Sequence, residues 1–335
     1  MTLFINIVIT FAVLSWPLVW VSSVMMAGGP GASNNASLIR SSIMFVSYPQ
    51  FIFLILAALN IPFWGVNSLY CAAISAVLVY FTQIPNFKLL SNLKKGIANS
   101  GYSIAGDIAY FNGKPIESAD AASFHILEGD FLASRANYAW DDTALYYDGK
   151  VIEGARPSKL KPIFSGHGEF YVSSDDHVMY SGLVLQDCQP NGFRLPEHSY
   201  GGWAICDQGE TSFVYFYSQK VEGADGRSFV PLGSYIGKDD SHFYCQDAVL
   251  ETDADPATFN LFREFCRYGW DSQSVYFVDS KLLKIESADI ETFEEVHINT
   301  PIHSDARDAH HLYLDGKRVG KRDDLSETND KCLVD

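Results

Sequence analysis

Asp142-Thr143-Ala144-Leu145-Tyr146-Tyr147-Asp148-Gly149-Lys150-Val151-Ile152-Glu153-Gly154-Ala155 is the stretch whose reading decides the fold. An aspartate precedes an aromatic pair; a turn dipeptide, an aliphatic residue and a small residue with a polar cap follow. Variants of it recur to the C-terminus. Anchor tyrosines stand at Tyr110, Tyr146, Tyr180, Tyr215, Tyr244, Tyr276 and Tyr313, separated by 36, 34, 35, 29, 32 and 37 residues. Upstream stand Asp107, Asp142, Asp176, Asp207, Asp240, Asp271 and Asp308. Downstream, Ala119-Asp120 leads to Phe124, Ala224-Asp225 to Phe229, Ala254-Asp255 to Phe259 and Ala288-Asp289 to Phe293, with Leu160 and Phe193 in that place in the second and third units. A unit of this size cannot bury its own apolar face, so neighbours must stack. The expectation is a mainly β domain of about seven β-hairpin repeats, roughly 34 residues each, stacked as an open solenoid. A closed propeller-like ring is the alternative.

Each unit reads as β. Leu145-Tyr146-Tyr147 and Val275-Tyr276-Phe277 suit a pleated, half-buried surface. Asn112-Gly113, Asp148-Gly149 and Asp315-Gly316 carry the residues that a type I′ hairpin turn needs at positive φ. Asp255 before Pro256 predicts one short helical or 3₁₀ turn per unit. The aspartate before each anchor tyrosine is expected to bond backbone amides in a turn.

The runs Asp141-Asp142-Thr143-Ala144-Leu145-Tyr146-Tyr147 and Lys238-Asp239-Asp240-Ser241-His242-Phe243-Tyr244 resemble the DKNYY repeat family, named for its Asp-Lys-Asn-Tyr-Tyr run. The resemblance spans roughly residues 102–320. It implies a bacterial origin and a repeat domain, and it transfers no catalytic residue. At Tyr180-Ser181-Gly182 the second tyrosine of the pattern is missing.

Composition shifts near residue 96. Only Arg40, Lys88, Lys94 and Lys95 carry charge before it, and all 40 Asp and Glu follow it, so the C-terminal part sets the net charge of −16. Such a surface disfavours nucleic acid. The sequence divides into three transmembrane helices within residues 1–85 (about 3–27, 43–64 and 66–84), a basic juxtamembrane linker at 86–101, the repeat domain at 102–320 and a disordered tail at 321–335. Each apolar stretch approaches the ~20 residues that cross a bilayer. A cleaved signal peptide is the alternative for the first, but it has no basic n-region and Met25-Met26 is a poor cleavage site. Trp16, Trp20 and Trp64 fit interfacial anchoring. The linker reads either as a surface helix or as the end of the third span. The four basic residues share one side of a three-span arrangement, which predicts a bacterial inner-membrane protein with its N-terminus outside and its repeat domain in the cytoplasm. A periplasmic repeat domain is the alternative. Cysteines are expected as free thiols, with Cys188–Cys206 the one plausible bridge; a bridge there argues for an extracytoplasmic domain.

Candidate chemistry is sparse. His303, Asp305, Asp308, His310 and His311 have metal-ligand residue types, but strand alternation separates His310 from His311. The pairs Asp141-Asp142, Asp175-Asp176 and Asp239-Asp240 lack calcium-loop spacing. Ser165-Gly166-His167-Gly168-Glu169 is only superficially hydrolase-like, and the chain has no Gly-x-Ser-x-Gly elbow. The expectation is therefore no enzyme, no cofactor and no metal. Expected partners are the lipid bilayer and another protein, in a membrane-tethered binding, scaffold or sensing role. The alternatives are a membrane-associated enzyme or transporter component and a structural envelope protein.

Overall fold

A computed structural model describes residues 2–27, 31–127, 137–164, 170–196, 202–262, 267–298 and 304–321. Ser165–Glu169, His303, Cys266, Cys332 and the tail from 322 lie outside the described residues. The chain divides into two compact units, Met1–Ser158 and Lys159–Asp335.

The N-terminal part is helical: α1 (Thr2–Leu14), α2 (Trp16–Ala27), α3 (Ala36–Val46), α4 (Tyr48–Ala58) and α5 (Ser68–Lys94). Asn35 caps α3 by accepting from the Ser37 and Leu38 amides, and Asn67 caps α5 through the Leu69 amide. Thr2–Ser23 and α5 are long and apolar enough to cross a membrane. The second expected span is two helices meeting at Ser47 with a bend of 49°, so a third crossing arises only if the pair counts as one. Trp16, half-buried, donates its indole N–H to the Val46 carbonyl at this break, 2.8 Å away. The helix at the third expected span runs further than expected: α5 continues through Pro85 and the lysine-bearing segment to Lys94. Residues 86–94 are thus its last turns rather than a separate linker.

Residues 95–101 are fastened by asparagines. The Asn34 carboxamide oxygen accepts from the Asn99 and Ser100 amides (2.7 and 3.0 Å), and its nitrogen donates to the Ser100 carbonyl. Asn99 in turn donates to the Ser33 and Leu89 carbonyls and accepts from Asn92. This latch ties the α2–α3 loop, the end of α5 and the entry to the first sheet.

From Tyr102 onward the described chain is β: a first sheet of three strands (Tyr102–Ala105, Ile108–Phe111, Lys114–Pro115), then six antiparallel sheets of four short strands. The second, His125–Ile126, Tyr138–Trp140, Leu145–Tyr147 and Lys150–Val151, is typical. The expected hairpin is therefore only part of a meander. The chain leaving one sheet makes a turn, and its aromatic residue then leads into the outer strand of the next: Phe124, Phe229, Phe259 and Phe293 stand just before that strand, and Phe193 begins it opposite Cys206. The short turn expected at Asp255 forms, closed by the Thr258 amide donating to the Asp255 carbonyl.

Much of the core lies between successive sheets. One cluster joins Ala109 and Ile116 of the first sheet to Phe124, Ala139 and Tyr146 of the second. In the second unit, clusters likewise bridge the third and fourth, fourth and fifth, fifth and sixth, and sixth and seventh sheets. An aromatic wedge fills these joints: Phe124 sits 5.7 Å from Tyr102 and 5.5 Å from Tyr146, and Phe293 sits 5.3 Å from Tyr268 and 5.4 Å from Tyr313. The wedge demands a small residue across the strand from the anchor tyrosine: Ala139, Ala204, Gly237, Gly269 or Ala306. A Cβ on Gly237 would lie 2.2 Å from Phe229.

The expected type I′ turns form, with positive φ at Asn112-Gly113, Asp148-Gly149 and Asp315-Gly316. At Gly149, φ is +73° and an added Cβ would stand 2.7 Å from Phe111 Cβ. Gly149→Ala is expected to destabilise the protein by about 2–3 kcal/mol. Gly154→Ala, at φ +77° in open space, is expected to lose only about 1 kcal/mol. Denaturant unfolding of the two variants measures the difference that packing adds.

Candidate functional site: the aspartate–tyrosine joints

Four joints share one polar arrangement. In the sixth sheet, Asp271 begins the turn before the anchor strand. Its Oδ1 accepts from the Gln273 and Ser274 amides, both at 2.8 Å. Its Oδ2 accepts from the Tyr276 hydroxyl at 3.0 Å and, across the joint, from the Asp255 amide at 3.0 Å. Asp255 organises the incoming turn: it accepts from the Ala257 amide and the Thr258 hydroxyl, and Thr258 Oγ1 accepts from the Ser272 amide. The same bonds recur around Asp141 with Tyr146 and the Asp120 turn, Asp239 with Tyr244 and the Asp225 turn, and Asp308 with Tyr313 and the Asp289 turn.

The sequence-predicted positions divide accordingly. Asp271, Tyr276, Asp308 and Tyr313 occupy this arrangement, as do Tyr146 and Tyr244. Asp142 and Asp240 do not: their neighbours Asp141 and Asp239 are the buried acceptors, while Asp142 and Asp240 are exposed and only their amides donate, to Ser123 and Ser228. The deciding signal is a constant spacing of five between acceptor and tyrosine, as in Asp271–Tyr276. Tyr180 is one residue out of register, because Met179 pairs with Val172 and Val184 as Tyr146 pairs with Ala139 and Val151. Tyr180 holds the second-tyrosine place and packs on Tyr171 at 5.1 Å. Asp176 is exposed, and Ser174 stands in the acceptor place, its Oγ accepting from the His177 amide at 2.9 Å. Where the tyrosine becomes methionine, the aspartate becomes serine. Asp207 lies in a strand and engages Arg194 and Ser212, while Tyr215 donates to the Gln186 carbonyl. Asp107 sits in the first hairpin turn, exposed, and Tyr110 is half-buried opposite Ser103 and Pro115.

A second tie escaped the sequence reading. Tyr102 donates its hydroxyl to the Asn137 carbonyl and accepts from the Gly149 amide (3.0 and 2.9 Å). Tyr268 donates to Asp305 and accepts from the Gly316 amide (2.6 and 3.0 Å), and Trp203 donates to the Gly233 carbonyl. Tyr102, Tyr138, Tyr171 and Tyr268 each precede the anchor position by eight residues, a periodicity that the sequence displays.

These roles absorb the candidate chemistry. Asp308 Oδ1 accepts from the amides of His310 and His311, His310 is exposed, and Asp305 serves Tyr268. Among the described residues no group of three or more His, Cys, Asp or Glu is placed to hold a metal. Cys188 and Cys206 form a disulfide rather than free thiols, and Cys71 and Cys245 are free.

The carboxylates are electrostatically tuned for the clamp. Burial alone would raise the Asp271 carboxyl, but hydrogen bonds from the Asp255, Gln273 and Ser274 amides and the Tyr276 hydroxyl outweigh it and hold the group below the usual aspartate range. Asp141, Asp239 and Asp308 are lowered in the same way. Burial, reinforced by Asp271, pushes the Tyr276 hydroxyl up to about 12.

A carboxyl lowered in the folded state contributes stability that is complete above its unfolded value, about 3.9, and is lost as pH falls through the folded value. The unfolding midpoint is therefore expected to stay level above about pH 5 and to fall steeply below about pH 4. Asp271→Asn should flatten that fall. Asp271→Ala leaves three amides and a hydroxyl without their acceptor and is expected to cost about 3 kcal/mol or more. A double-mutant cycle with Tyr276→Phe should show coupling of about 1 kcal/mol or more.

Comparison with known proteins agrees with the repeats. No curated protein and no solved structure matches the chain. The DKNYY family model matches residues 102–213 and again 208–330. With that match covering more than half its length, the chain belongs to the DKNYY family.

Proposed function

We propose that this protein is a membrane-tethered β-repeat scaffold that binds another protein, with seven copies of one unit stacked as an open array. The carrying observation is where the polar and apolar groups go. The recurring aspartates and tyrosines are used inside the joints, whereas the last strands of the sheets carry exposed aliphatic side chains: Val151, Leu183, Val249, Leu283 and Val319. An exposed aliphatic residue on an unpaired edge strand is a natural contact for a partner chain.

The tether is supported by the helical part. Phe4, Phe11, Leu18, Met44, Ile74 and Phe81 are exposed there, a surface that water disfavours and hydrocarbon accepts. The asparagine latch joins this part to the first sheet, so the tether holds the array firmly. The open form is favoured because the first sheet has three strands and meets the latch: a Cβ on Gly113 would lie 2.9 Å from the Asn92 amide nitrogen.

Photo-crosslinking in cells tests the binding role. A photoreactive residue at Val249 or Leu283 is expected to give one discrete adduct in the membrane fraction, and one at buried Val275 none. Equal, diffuse labelling at all three positions would favour a purely structural envelope role. Recovery of the chain in the soluble fraction after carbonate extraction would remove the tether.

A further inference from the structure

The joint between the third and fourth sheets departs from the shared arrangement, and the departure is orderly. In four joints the acceptor aspartate stands two residues beyond the small residue facing the anchor tyrosine: Asp141 after Ala139, Asp239 after Gly237, Asp271 after Gly269 and Asp308 after Ala306. In the fourth sheet Tyr215 faces Ala204, and the residue two further on is Cys206. On the other side of these joints an alanine stands five residues before the wedge phenylalanine: Ala119, Ala224, Ala254 or Ala288. Five residues before Phe193 stands Cys188. The disulfide between Cys188 and Cys206 therefore occupies the place of the carboxylate-to-amide bond that closes the other joints. Both cysteines are buried, and Tyr215, lacking a carboxylate, donates to the Gln186 carbonyl instead. The third sheet has also lost its own clamp, with Ser174 and Met179 in the acceptor and anchor places.

We propose that this joint is closed covalently in the working protein, and that the repeat domain accordingly matures on the oxidising, extracytoplasmic side of the membrane. Two thiols with no carboxylate between them would leave the Gln189 turn without the tie that Asp120, Asp225, Asp255 and Asp289 receive at their amides. Closure removes two protons and two electrons from the thiols. A protein disulfide of the thiol-oxidant class accepts them through a mixed disulfide and leaves as a dithiol. A reducing cytoplasm opposes that reaction and an extracytoplasmic compartment sustains it. The position of Arg40, Lys88, Lys94 and Lys95 argues for the opposite side, but a structural disulfide in the core is the stronger constraint. The compartment assignment stands apart from the binding role; only its expression as membrane sidedness rests on the tether.

Thiol trapping tests this on the natural protein. Intact cells are quenched in acid and alkylated before lysis, and the peptides containing Cys188 and Cys206 are read by mass spectrometry before and after reduction. The expected result is that both label only after reduction, whereas Cys245 labels without it. Labelling of both in unreduced cells overturns the proposal. In the purified full chain, reductant is expected to lower the unfolding midpoint by roughly 5–10 °C. Cys188→Ala/Cys206→Ala should match the reduced protein and show no further response; an unchanged midpoint on reduction also overturns the proposal. Trapped disulfide in a soluble extracytoplasmic fraction would remove the tether and leave this inference standing. Free thiols in the membrane fraction would do the reverse.

Discussion

A buried carboxylate that accepts four hydrogen bonds at once is the constraint on which the repeat region depends. Burying a charge is costly unless its lone pairs are filled, and at Asp271 two turn amides, one amide from the preceding turn and the anchor hydroxyl fill them. The charge thereby fixes three things together: the conformation of its own turn, the rotamer of its tyrosine and the approach of the neighbouring segment. Glutamate is a methylene too long to clamp its own i+2 and i+3 amides in this way, and asparagine would present one donor where only acceptors are wanted. Part of the acidic composition is thus architecture rather than surface.

Such a clamp suits sheets of two- to six-residue strands. None of them is large enough to hold a core alone, and the apolar clusters accordingly lie between sheets, around the wedge phenylalanines. At the Asp141, Asp239 and Asp308 joints a polar clamp is joined by a tyrosine or tryptophan tie, with the aromatic wedge beside them. The asparagine latch extends this logic to the helical part, because Asn34 and Asn99 satisfy backbone groups that the end of α5 and the following segment would otherwise leave open.

Much of this was legible in the residues. The tyrosine period, the Asn-Gly and Asp-Gly turns and the Ala-Asp-to-Phe step reported the repeating sheets, since each reflects a local requirement of a turn or a small core. The choice between Asp141 and Asp142 was less accessible. A one-residue shift exchanges a buried acceptor for an exposed side chain, and only comparison with Asp271 and Asp308 at fixed spacing resolves it. Tyr180 misled for the same reason, because the true register position holds Met179. The length of α5 was hidden by Pro85, which reads as a helix end but is tolerated here within an apolar helix. The first strand of each four-stranded meander is two residues long in most sheets, below what hydrophobic alternation can register.

Backbone hydrogen exchange at the turn amides of Asp120, Asp225, Asp255 and Asp289 tests the central claim most directly. Their residues are exposed or half-exposed, so without the clamp these amides would exchange as loop amides do. The account predicts protection approaching that of the anchor-strand amides of Tyr146, Tyr244, Tyr276 and Tyr313. Exchange at the rate of an unprotected surface loop would contradict it.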